Sequence, residues 1–101
     1  MVRLFTILYD AAAEDDLRAL RAYDLRRILN EVDRHLVKNP LTADRRKKIL
    51  RGLISPWKSV RPIWQLRIGD FRVFYDADDE RREVIVRAVR RKGTRTTGDI
   101  L

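Results

Sequence analysis

The sequence predicts an α+β fold in which two N-terminal helices pack on one face of a mostly antiparallel sheet. Three observations carry this expectation. Residues 63–90 hold three β-rich runs separated by turn signals. Two stretches before residue 40 carry apolar residues at helical spacing. Amphipathic helices need a common apolar surface to cover, and a sheet supplies one.

Taken in order, "VRLFTILY" from Val2 to Tyr9 alternates weakly and is rich in β-formers, so it reads as a first strand. "AAAEDDLRAL" then starts a helix, with Glu14, Asp15 and Asp16 near its positive end. A break around Ala22 to Asp24 leads into a second helix, with Asp24 as a candidate cap. Leu25, Ile28, Leu29, Val32 and Leu36 form its apolar face. Pro40 ends it, because the residue before a proline is pushed out of helical geometry. "LTADRRKKILRGL" reads as a short helix or irregular turn, with Thr42 as a cap and Gly52 as a stop. Residues 52–62 contain two prolines and read as a loop.

The three later runs form a meander. "IWQLRI" meets Gly69-Asp70, a tight turn; "FRVFYD" meets "ADDERR"; "EVIVRAVR" completes it. Period-two alternation sorts the faces. Trp64, Leu66 and Ile68 oppose Gln65 and Arg67, while Arg72 and Phe74 oppose Val73 and Tyr75. Val84, Val86 and Ala88 oppose Ile85, Arg87 and Val89. If Leu66, Val73 and Val86 meet the helices, Arg67, Arg72 and Arg87 share the bare face.

The chain has 101 residues, a length for one domain. It has no cysteine, which excludes disulfides and thiolate metal sites and fits a cytoplasmic protein. His35 is its only histidine, so no metal is expected; its place at the edge of an apolar helical face suits a structural role. No run approaches the ~18 apolar residues that would span a membrane. No phosphate loop, catalytic triad or dinucleotide fingerprint implies a small-molecule cofactor.

The net charge is +8, and its placement is asymmetric. Residues 1–40 hold seven basic and seven acidic residues; residues 41–101 hold sixteen and eight. Such asymmetry favours a polyanionic partner. Like charges on neighbouring strands repel by roughly a few tenths to 1 kcal/mol per directly opposed pair. A basic sheet face therefore calls for a bound anion, unless Asp70, Asp76 or the acidic turn at residues 78–80 neutralises it. "RRKK" at residues 45–48 reads as a phosphate patch or a solvated charge run. Trp64 is in phase with the core, Trp57 lies in the loop, and Phe74 shares the basic face.

"WQLRIGDFRVFYDADDERREVIVRAVRRK" resembles the sheet of the RelE/ParE superfamily of type II toxins. Members often show an aromatic residue, a basic strand, a Gly-containing turn, "YRV" or "FRV", an acidic turn and a Val/Ile-rich strand ending in basic residues. The likeness extends in order through "DLRAL", "RRIL", "KNP" and "KKILRGL", so residues 1–101 read as a single toxin-like domain.

The resemblance implies a toxin neutralised by a cognate, acidic antitoxin, acting on the ribosome as an mRNA endoribonuclease that inhibits translation. Metal-free RNA cleavage needs a base for the 2′-hydroxyl, cations for the phosphate and an acid for the departing 5′-oxygen. By resemblance Arg67, Arg72 and Lys92 take the catalytic positions, and Gln65, Arg87, Arg91 and Arg95 contact RNA. The tail "GTRTTGDIL" departs from the family pattern in lacking tyrosine and histidine, and arginine is a poor base because it stays protonated. The resemblance therefore also admits a ParE-like inhibitor of DNA gyrase that cuts nothing, or a member that has lost toxicity.

Overall fold

The computed structural model describes residues 3–51 and 61–93. Its elements are β1 (Thr6–Tyr9), α1 (Ala11–Arg18), α2 (Ala22–Leu36), β2 (Lys47–Ile49), β3 (Trp64–Ile68), β4 (Phe71–Asp78) and β5 (Glu83–Arg91). The five strands form one sheet in the order β1-β5-β4-β3-β2, antiparallel except where β1 runs parallel to β5. Both helices cover the same face, giving the expected α+β architecture.

Asp10 caps α1, its Oδ1 accepting from the Ala13 amide at 2.9 Å. The helix then covers the part of β5 that β1 is too short to reach. There the Asp16 carboxylate accepts the Val89 amide at 2.9 Å and also binds the Arg90 guanidinium. The α2 helix buries Ile28, Val32 and Leu36 completely, at helical spacing, against β3, β4 and β5. Removing one such side chain to Ala costs about 2–5 kcal/mol. Asp24 does not cap α2, as the sequence suggests. Arg21 occupies that position, and Asp24 is buried in the first turn, 3.5 Å from both Arg21 and Arg91.

After Pro40 the irregular turn, rather than the short helix, is what forms, and it leads into an unexpected three-residue edge strand, β2. Its Lys47 points toward the helices and is buried. The ammonium donates to the carbonyls of Asn39 (2.7 Å) and His35 (3.4 Å) and pairs with Asp44 at 3.1 Å. A cation thus sits where the helix dipole of α2 ends. The Nε2 of His35 lies 2.9 Å from Glu31.

Face assignments on β3 and β4 follow the alternation, but those on the end of β5 do not. A register shift opposite Phe74/Tyr75 leaves Arg87 as an extra residue. Beyond it the phase flips: Ala88 packs with Ile63 and Phe74 on the far face, and Val89 joins the helix-side core. The face opposite the helices is therefore partly covered. Phe74 is fully buried there and Trp64 is buried on the helix side, stacked on Tyr75 with centroids 6.4 Å apart. Neither ring is placed to stack on a base. Trp57, Gly52 and Arg95 lie outside the described residues.

Candidate functional site

Arg67 and Arg72 are direct cross-strand partners on β3 and β4, so their side chains leave the sheet on the same face. The Gly69-Asp70 turn that joins these strands has positive φ at Gly69 alone, the type II′ pattern that glycine permits. Arg72 Nη1 donates to the carbonyls of Gly69 (2.8 Å) and Phe71 (2.9 Å), which fixes the guanidinium over the turn. Partial burial lowers the proton affinity of Arg72, neighbouring Arg67 lowers it further, and Asp70 offsets part of the effect.

Asp70 also clasps the end of β5. Its carbonyl accepts the Lys92 amide at 2.8 Å and its Oδ1 accepts the Gly93 amide at 2.9 Å. Lys92 is brought beside Arg72 in this way. From the other side, β2 pairs Lys48 with Gln65, placing both on the far face. Asp44 shapes the approach: its Oδ1 accepts the amides of Arg46 (2.8 Å) and Lys47 (2.9 Å). Desolvation raises the Asp44 carboxyl, but these two amides and the Lys47 ammonium outweigh it and hold the group below the ordinary range.

These residues enclose a cavity of about 190 Å³ lined by Asp44, Arg45, Arg46, Lys47, Lys48, Gln65, Arg67, Arg72 and Lys92. Seven of the nine are basic and one is acidic. Among the described residues no carboxylate lies within ion-pair distance of Arg45, Arg46, Lys48, Arg67 or Arg72. Cations clustered around one concavity raise the local positive potential.

The cavity gathers Gln65, Arg67, Arg72 and Lys92 from the residues expected by resemblance. Arg87 and Arg91 are elsewhere. Arg87 donates from Nε to Asp76 Oδ1 at 2.6 Å and lies 3.6 Å from Asp10. The hydrogen bond to Asp76, more than its charge or that of Asp10, holds the Arg87 proton tightly. The fully buried Asp76 also binds Arg61 at 2.9 Å. Arg91 turns to the helix side, 4.4 Å over the Phe71 ring and near Asp24 and Asp70. Internal carboxylates thus engage Arg87 and Arg91 but not Arg67 and Arg72. The cavity also takes in the 45–48 charge run, in which no alternation marks a sheet face.

Residues 7–94 match the family model described as the ParE toxin of the type II toxin-antitoxin system, parDE. The chain belongs to this toxin family. The solved structures show that its fold is shared with RelE toxins. The toxin-antitoxin complex RelBE2 of Mycobacterium tuberculosis matches with a TM-score of 0.72 at 24% identity, over 90% of this chain and 94% of that one. The archaeal RelE-RelB complex of Pyrococcus horikoshii gives 0.68 at 19% identity, over 93% and 99%. A free, doubly arginine-substituted mutant of the E. coli toxin RelE gives 0.61 at 20% identity, over 89% and 85%. No curated protein matches the sequence. The ParE-family chain is therefore a type II toxin built on the RelE fold. Among its described residues no helix is long and apolar enough to cross a membrane.

Proposed function

We propose that this toxin is a metal-independent endoribonuclease that cleaves mRNA on the ribosome. The observation that carries the reading is the cavity in which Arg67, Arg72, Lys48 and Lys92 converge with one carboxylate beside them. A phosphodiester gains negative charge as the 2′-oxygen attacks, and fixed guanidinium groups favour that state over the ground state. Arg67 and Arg72, held on strands, supply such charge without reorganising. Arginine keeps its proton throughout, so the two proton transfers, one from the attacking 2′-hydroxyl and one to the leaving 5′-oxygen, fall to the lysines Lys48 and Lys92.

An antitoxin partner follows from the family's type II character and from the complexes with RelB among the matched folds. The net charge of +8 and the basic cavity call for an acidic segment that covers the anion site.

The match to the ParE toxin model favours a second reading, in which the protein binds DNA gyrase and cuts nothing. Expression in cells with mapping of mRNA 5′ ends, alongside a gyrase supercoiling assay, separates the two. New, codon-phased ends that disappear in Arg72→Ala support the nuclease; intact mRNA with blocked supercoiling supports the inhibitor.

A further inference from the structure

A second basic cavity lies around the corner of the sheet from the first. It measures about 150 Å³ and is lined by Arg27, Glu31, Arg34, His35, Arg46 and Ile68. Arg46 lines both cavities, so the two adjoin. Arg27 and Arg34 are seven residues apart on α2, two turns or about 10 Å along one face of the helix. Between them Glu31 is occupied by His35 at 2.9 Å and Arg34 at 3.6 Å. No described carboxylate pairs with Arg27 or Arg46, and both side chains are exposed.

The turn between the strands joins the cavities physically. On one side its Gly69 carbonyl accepts from Arg72 at 2.8 Å. On the other, the Arg27 guanidinium lies so close that a Cβ at Gly69 would stand 2.7 Å from it. A chain leaving the first cavity over the sheet rim, between Arg46 and Gly69, meets the second.

We infer that the Arg27/Arg34/Arg46 cavity is a subsite for a neighbouring phosphate of the same single-stranded RNA that enters the Arg67/Arg72 cavity. The inference rests on the nuclease reading for the identity of the polyanion. It adds a length requirement: RNA that reaches both cavities binds more tightly than RNA that fills one. Guanidinium groups suit this role because they present several donors to phosphate oxygens.

The test uses non-cleavable 2′-O-methyl oligouridylates of increasing length, with fluorescence anisotropy across a salt series. For the wild type, affinity rises with length until both cavities are filled. In the double variant Arg27→Ala/Arg34→Ala the shortest oligomer binds as before. Long oligomers bind about tenfold more weakly. The slope of log affinity against log salt becomes shallower by about 0.7, one phosphate contact on a single strand. Arg72→Ala weakens every length. Unchanged length dependence and slope in the double variant overturn the subsite while leaving the first cavity's role intact. Failure of the wild type to bind any oligomer overturns both. Binding of polyglutamate, but not RNA, that depends on Arg27 and Arg34 assigns the cavity to an acidic protein and overturns the inference.

Discussion

Arg67 and Arg72 face each other across neighbouring strands, and no described carboxylate lies within ion-pair distance of either. Isolated, this pair opposes folding; a bound phosphate reverses its sign. Replacing Arg67 by Gln should therefore stabilise the free protein by a few tenths to about 1 kcal/mol while weakening RNA binding. Urea denaturation at low salt checks the gain, which should shrink as salt screens the pair. A loss of stability in Arg67→Gln would contradict this account of the site.

Asp76 has the opposite character. It is fully buried, with Arg61 at 2.9 Å and Arg87 at 2.6 Å. Asp76→Ala removes the nearest carboxylate from two partly buried guanidinium groups and leaves Arg87 with Asp10 at 3.6 Å and Arg61 with Asp78 at 3.7 Å, so the expected loss is about 1–3 kcal/mol. The same denaturation experiment reads it. An effect below about 1 kcal/mol would show that solvent rather than Asp76 satisfies those arginines.

Lys47 joins the cavity to the helix layer by donating to the carbonyls of His35 and Asn39. Lys47→Met keeps the side chain's bulk but leaves these acceptors unmet, at about 1–3 kcal/mol. Hydrogen exchange should speed up at the end of α2 and in β2 before other regions.

Stability should also fall in alkali. Burial, and secondarily Asp33, raises the Tyr9 phenol to about 12. Burial, and secondarily Asp44, raises Tyr75 well above its ordinary 10.0. The folded state thus favours the neutral phenols. Their contribution is complete below pH 10, where the unfolded chain is also neutral, and declines as pH rises from 10 through about 12. Thermal melting from pH 9 to 12 should show this decline, and Tyr9→Phe should flatten part of it.

The meander and both helices are legible because each announces its period locally: Leu66, Val73 and Val86 for the strands, Ile28, Val32 and Leu36 for α2. The β2 strand is not. "RRKKIL" is made of good helix formers, and its three strand residues are fixed by pairing with β3, a contact distant in sequence. The bulge at Arg87 likewise depends on register with Phe74 and Tyr75, and it overturns the simple alternation that put Ala88 with Val86. Within the site, Arg67 and Arg72 were readable from one hairpin. Lys48, arriving from the edge strand, was visible only as part of a charge run.

The most direct test of the cavity's role is single-turnover cleavage of mRNA on programmed ribosomes by the purified toxin, with analysis of the product ends. The account predicts fragments ending in a 2′,3′-cyclic phosphate, formed about 10²–10³-fold more slowly by Arg72→Ala. Intact mRNA under conditions where the same preparation stops gyrase, or cleavage indifferent to Arg72, would contradict it.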